Sequence, residues 1–236
     1  MVASIRTGRD SQMLDRLRGG LIASCQPVAG GPMDEPRIVA AMARAALDGG
    51  AIALRIEGIA NLRAVRAVVE APIIGLVKRD LADSPVRITP TRADVADLIT
   101  SGADIVAIDA TDRPRPESLE ALLSAIRSGG ALAMADCADA ADGDRAAALE
   151  FDILGSTLSG YSGGPVPADP DLGLVSSLAR HRALTIAEGR YHRPEQARAA
   201  IAAGADAVVV GSAMTRLEHI AEWFSTAIAA EARVTA

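Results

Sequence analysis

Eight short runs of apolar residues recur along the chain, at Leu21–Cys25, Ala51–Arg55, Ile73–Lys78, Ile105–Asp109, Ala131–Asp136, Ile153–Thr157, Leu184–Glu188 and Ala207–Val210. Within each run apolar residues follow one another without polar alternation, as expected of strands covered on both faces. Between the runs lie Ala-, Leu- and Arg-rich segments with helical spacing, such as Pro36–Asp48, Arg92–Ser101, Pro116–Arg127 and Pro194–Ala203. Proline near the start of several of them suits a first helical turn, where its missing N–H costs nothing. Strand and helix therefore alternate, which predicts a parallel α/β fold. Eight strands within about 190 residues suit a closed (β/α)8 TIM barrel better than an open sheet.

An internal repeat points the same way. Four of the strands follow related segments, LDGGAIALR, TSGADIVAID, LEFDILGST and AAGADAVVVGS. From Gly50 to Gly102 to Gly204 the intervals are 52 and 102 residues, close to one and two copies of a two-strand unit. No linker or shift of composition marks a second domain. The expectation is one barrel domain over residues 1–236, with residues 1–19 as an N-terminal helical extension at or beside the barrel bottom.

Composition narrows the function. The net charge is −6 and aromatics make up 2% of the residues, which speaks against a nucleic-acid partner held by charge or base stacking. The N-terminus lacks the apolar core of a signal peptide, and no run of 18 apolar residues suggests a membrane span. With only Cys25 and Cys137, free thiols and a cytoplasmic location are the expectation. His181, His192 and His219 have no metal-ligand spacing, so no metal is expected.

In such barrels chemistry gathers at the C-terminal ends of the strands. There the sequence supplies Ser24, Cys25 and Gln26, then Arg55, Lys78 and Arg79, Asp109, Asp136, Thr157, Glu188, and finally Gly211 and Ser212. Lys78 is the most informative: of 24 basic residues it alone is lysine. An amine can lose its proton when desolvated, whereas a guanidinium cannot, so this position suits a base or a Schiff-base former. Glu188 is a second acid–base candidate, with an ion pair to Arg55 or Arg190 as its alternative. Arg55 could meet an anionic intermediate or form a structural ion pair. Asp109 and Asp136 could bind sugar hydroxyls or cap the following helix. Gln26 offers an amide to a carbonyl. The loops AEGRYHRP and VVVGSAMTR occupy the two positions where barrels often hold phosphate, with Gly189, Arg190, Gly211, Ser212 and Arg216 as candidate ligands.

Taken in order, LIASCQ, PIIGLVKRD, ITPT, GADIVAIDATDRPRP, MADC, GSTLSGYS, AEGRYHRPEQA and GADAVVVGSAMTR resemble the N-acetylmannosamine-6-phosphate 2-epimerase family over nearly the whole chain. The resemblance implies a barrel enzyme without metal or cofactor. Its substrate would be a phosphosugar, with N-acetylmannosamine 6-phosphate and N-acetylglucosamine 6-phosphate interconverted in sialic acid catabolism. It further implies proton transfer by Lys78 at carbon 2, a partnering Glu188 and a phosphate-binding Arg216. A homodimer is also expected. Two departures stand out: Glu57 adds a carboxylate after Arg55, and the segment after Tyr161 is unusually rich in glycine and proline (SGGPVPADP). An aldolase-type lyase using Lys78 as a Schiff base, and a phosphosugar sensor without activity, are the rival readings.

Overall fold

A computed structural model describes residues 8–163 and 165–234. Eight parallel strands close into a barrel in chain order: β1 Gly20–Cys25, β2 Ala53–Glu57, β3 Ile73–Leu76, β4 Ile105–Asp109, β5 Leu132–Asp136, β6 Ile153–Gly155, β7 Leu184–Glu188 and β8 Ala207–Val210. The helices are α1 Gly8–Leu17, α2 Pro36–Asp48, α3 Ile59–Arg66, α4 Arg92–Thr100, α5 Leu119–Ser128, α6 Ala140–Ala148, α7 Leu172–Leu178, α8 Pro194–Ala202, the short α9 Ser212–Thr215 and α10 Leu217–Val234. Residues 1–7 of the expected N-terminal extension lie outside the described residues. From α1, Leu14 and Leu17 join the cluster inside the barrel and plug its N-terminal end.

Local chemistry sets the helix ends. The side chains of Thr91, Ser118, Asp139 and Asp171 each accept a bond from a first-turn N–H, of Asp94, Ala121, Asp142 and Leu174 respectively. At the C-termini, the repeat noted in the sequence proves to be a recurring stop signal. Ala51, Ala103, Phe151 and Ala205 each donate their N–H to the carbonyl five residues back, after a residue with positive φ. That residue is Gly50, Gly102 or Gly204 in three copies and Glu150, at φ 63°, in the fourth. Because Gly50 and Ala51 belong to this turn, β2 starts at Ala53, two residues later than the apolar run suggests.

Every second strand residue points inward. Ile22, Ala53, Ile74, Leu76, Ile105, Ala107, Met134, Ile153, Ile186 and Val209 fill the barrel, while the opposite parity packs under the helices. Continued one or two steps of two residues further, the inward series reaches Gln26, Lys78, Asp109, Asp136, Thr157, Glu188 and Gly211. Strand parity therefore delivers one polar side chain or glycine after another to the same end of the barrel.

Candidate active site

A cavity of about 470 Å³ opens at that end, lined by Ser24, Gln26, Lys78, Asp109, Arg113 and Thr157, and by Glu188, Gly189, Arg190, Gly211, Ser212 and Arg216 among others. Its size suits a small-molecule site.

Lys78 stands two residues past the end of β3, in a short antiparallel ladder with the 87–89 segment. Lys78 bridges Ile88, Arg79 N–H donates to the Arg87 carbonyl, and Thr89 N–H donates to that of Val77. The ladder fixes the backbone while the amine faces the cavity and donates to Gln26 Oε1 at 2.7 Å. Crowding by surrounding protein lowers the Lys78 pKa. The Arg55 and Arg216 charges add to that effect, while Glu57 and Glu188 oppose it.

Glu188 ends β7, on the opposite wall from β3. Its Oε2 lies 3.0 Å from an Arg55 guanidinium nitrogen and 3.3 Å from Thr157 Oγ1. Burial pushes its pKa up to about 7, and Asp136 adds to the rise. Arg55, Lys78 and the Thr157 hydroxyl pull the other way. A carboxylic acid and an amine, both drawn toward neutrality, thus face one space from opposite sides.

Arg55 and Asp136, expected at the rim, lie beneath the cavity floor. Since β2 runs on to Glu57, Arg55 sits inside the barrel at 1% side-chain exposure. Its guanidinium forms a two-point pair with Asp136, at 2.6 and 3.2 Å. Neither side chain lines the cavity; both support Glu188 from below. Asp109 does line it, but its oxygens are occupied by the Thr111 hydroxyl at 2.5 Å, the Thr111 N–H at 3.0 Å and Arg113 at 2.6 Å. Arg113, which the sequence reading did not single out, is held again through Nε to Thr111 Oγ1 at 2.8 Å. Among the described residues its third nitrogen has no hydrogen-bond partner.

The β7 and β8 loops have the expected glycine geometry. Gly189 adopts φ 115°, a conformation that L side chains rarely take. A Cβ on Gly211 would crowd Ser24 Cβ at 3.3 Å. From α9, Thr215 Oγ1 donates to the Ser24 carbonyl at 2.8 Å, and Arg216 Nε donates to that of Gln26 at 2.9 Å. These two bonds staple α9 to β1 and hold Arg216 at the cavity wall. Arg190 differs from expectation: its guanidinium is committed to the carbonyls of Ser159 and Asp169, so it fastens the segment after β6. Glu57 accepts the Lys78 backbone N–H at 3.4 Å and does not line the cavity. The two thiols are buried, and burial pushes Cys25 up to about 12, leaving neither as a nucleophile.

Comparison with known proteins places the chain in a family. The family model described as "Putative N-acetylmannosamine-6-phosphate epimerase" matches residues 39–230. A relative of the corresponding 2-epimerase name from Actinobacillus pleuropneumoniae is 58% identical over 218 residues, 92% of this chain and 95% of its own. One from Haemophilus influenzae is 55% identical over 217 residues, with the same coverage of 92% and 95%. The solved structure of the N-acetylmannosamine-6-phosphate 2-epimerase from Clostridium perfringens is similar at TM-score 0.88 and 38% identity, covering 91% of this chain and 95% of that one. A thiamine phosphate pyrophosphorylase from Pyrococcus furiosus, at 15% identity and TM-score 0.60, shares the fold alone. The chain belongs to the N-acetylmannosamine-6-phosphate 2-epimerase family.

Proposed function

We propose that the protein inverts carbon 2 of N-acetylmannosamine 6-phosphate to give N-acetylglucosamine 6-phosphate, within amino sugar and sialic acid catabolism. The observation that carries the chemistry is the pair Lys78 and Glu188 on opposite walls of one cavity, each with its protonation shifted toward neutral pH. In the open-chain sugar the carbon-2 proton is acidic because the carbon-1 aldehyde accepts the electron pair. Neutral Lys78 takes that proton, leaving an enolate with its charge on the carbon-1 oxygen. Protonated Glu188 then returns a proton to carbon 2 from the other face, and a later exchange resets the pair. Moving the proton between Lys78 and Glu188 leaves the total charge of the pair unchanged, so neither tautomer adds net charge to the cavity. Gln26 orients the amine, and Arg55 with Asp136 positions Glu188. Arg113, clamped by Asp109 and Thr111, takes the sugar-facing role first expected of Asp109.

The phosphate binds at the backbone amides of the Gly189, Gly211 and Ser212 loops together with Arg216. Arg190 contributes through its backbone and by fastening the neighbouring segment. Arg216→Ala is expected to raise KM for the phosphosugar roughly 10- to 100-fold, the worth of a charge-assisted contact of about 1.5–3 kcal/mol, with a smaller change in kcat. Steady-state kinetics check this, and an unchanged KM would move the phosphate elsewhere.

Among the described residues no helix is long and apolar enough to cross a membrane. A phosphorylated substrate, which membranes retain, supports a cytoplasmic site of action. A homodimer belongs to the same reading. Residues 221–230 of α10 are exposed. Leu217, Phe224 and Ile228 form one apolar stripe at 60, 68 and 69% exposure, which a second copy would cover. Light scattering is expected to give twice the 24.2 kDa chain mass, and once that mass for the Phe224→Glu, Ile228→Glu double variant. A monomeric parent protein would remove the dimer.

Proton NMR of N-acetylmannosamine 6-phosphate with the enzyme in heavy water tests the whole reading. The carbon-2 proton signal should disappear as N-acetylglucosamine 6-phosphate forms. An unchanged signal with folded enzyme would reject epimerisation. A borohydride-trapped adduct on Lys78 would then support the lyase, and bare binding the sensor.

A further inference from the structure

Between the two carboxyl groups at the base of the cavity stands one hydroxyl. Thr157 Oγ1 lies 2.6 Å from Asp136 Oδ1 and 3.3 Å from Glu188 Oε2, so a group with one proton faces two acceptors. Asp136 is fully buried and paired with Arg55 at two points, and at the shorter distance it is the hydroxyl's acceptor. Glu188 is the partner whose charge changes during the proposed reaction. When it carries a proton it makes little demand on the hydroxyl. Once ionised, it becomes an acceptor as strong as Asp136, and only a rotation about the Cβ–Oγ bond separates the two hydrogen bonds.

A second observation shows that the fold keeps room for this arrangement. Residue 155, the inward position before Thr157 on β6, is glycine. A Cβ there would stand 3.1 Å from Thr157 Oγ1, 3.3 Å from Asp136 Oδ1 and 2.5 Å from Met134 Cε. Any side chain at 155 would press on the very atoms that make the short bond.

We propose that Thr157 is a positioning residue whose single hydroxyl proton turns from Asp136 to Glu188 when Glu188 gives up its proton, and turns back when Glu188 regains it. Thr157 does not itself exchange a proton with the sugar. The hydroxyl stabilises the carboxylate at the moment it forms and releases it when the acid is restored, with no movement of heavy atoms. This role deepens the epimerase reading, since it assigns Glu188 the changing proton, yet it can be measured without substrate.

The test is a carbon-13 NMR titration of the Glu188 carboxyl in the free protein, with the signal assigned through Glu188→Gln. It compares the parent protein with Thr157→Val, which keeps the shape and removes the hydroxyl, and with Thr157→Ser, which keeps the hydroxyl. The Glu188 midpoint should rise by roughly half a unit to one unit in Thr157→Val, because the ionised form loses a donor, and return in Thr157→Ser. Thr157→Ala should show the same rise and replaces the valine variant if that chain does not fold. An unmoved or lowered midpoint in both hydroxyl-free variants, or a serine variant that behaves like valine, would overturn the proposal. The titration is read on the enzyme alone. A failure of epimerisation in the heavy-water experiment therefore leaves this result standing or falling by itself.

Discussion

Lys78→Arg is expected to lower kcat by about 10²- to 10⁴-fold, the range for removing a general acid–base group, while the protein stays folded. The charge, and most of the reach, is kept. What disappears is the ability to hold the neutral form, since a guanidinium does not deprotonate near neutral pH. The parent side chain is prepared for that form by crowding and by the Arg55 and Arg216 charges, all of which disfavour the ammonium. Structural cost should be small, because the amine ends in the cavity with Gln26 as its hydrogen-bond partner and the ladder with the 87–89 segment is formed by backbone. Loss of the carbon-2 proton signal in heavy water, followed beside circular dichroism, separates chemistry from folding. A variant that exchanges this proton at close to the parent rate would take Lys78 out of the reaction.

The second large effect is expected from Arg55→Met. Among the described residues Arg55 is the only cation in contact with both Asp136 and Glu188, and all three lie at or below the cavity floor. A methionine can occupy a similar volume beside Met134, yet it leaves two buried carboxyl groups facing each other. Breaking a buried pair in this way should destabilise the fold by about 3–5 kcal/mol. The loss should also depend on pH, with a definite sign. Without the guanidinium, desolvation and the neighbouring carboxyl group hold the Glu188 carboxyl further above the unfolded carboxyl value of about 4. The folded chain then binds more protons than the unfolded one between those limits, so stability falls as pH rises through the window. In the parent protein Glu188, at about 7, already contributes a slope of this sign, and Arg55 limits it. Urea unfolding at pH 5 and pH 8 should therefore show a larger deficit at pH 8. Adding Asp136→Asn should recover part of that deficit, because one buried charge is gone. Equal stability of Arg55→Met and parent at pH 8 would contradict the buried-charge account.

Much of the protein is readable from order and parity alone. The eight apolar runs, the helices that follow them and the repeated glycine turns are local features. Each is set by a few neighbouring residues through burial pattern, N-cap chemistry and the left-handed conformation that glycine permits. Lysine at position 78 was equally visible, because its chemistry differs from that of the arginines used everywhere else. Local signals were weaker for α6, whose Gly143 lowers helix propensity. There the reason is tertiary: a Cβ at 143 would sit 2.3 Å from Leu178 Cδ2 of α7, so close helix packing decides the residue.

Depth was decided by tertiary structure. Moving β2 by two residues takes Arg55 from the rim to the interior, where it pairs with Asp136 at the end of β5 beneath the floor. Asp109 reads in the sequence as a candidate sugar ligand, but the loop after β4 turns Thr111 and Arg113, two and four residues on, onto its oxygens, a local effect that the sequence alone does not reveal. Arg190 is likewise drawn away by carbonyls of the segment after β6, some 20 to 30 residues distant in the chain. Which polar residues arrive at the barrel mouth follows from the alternation of side chains along each strand, and this the sequence determined by itself. Which of them remain free to meet a ligand, and at what pH they carry a proton, depends on desolvation and on partners from other strands, and only the closed barrel brings those together.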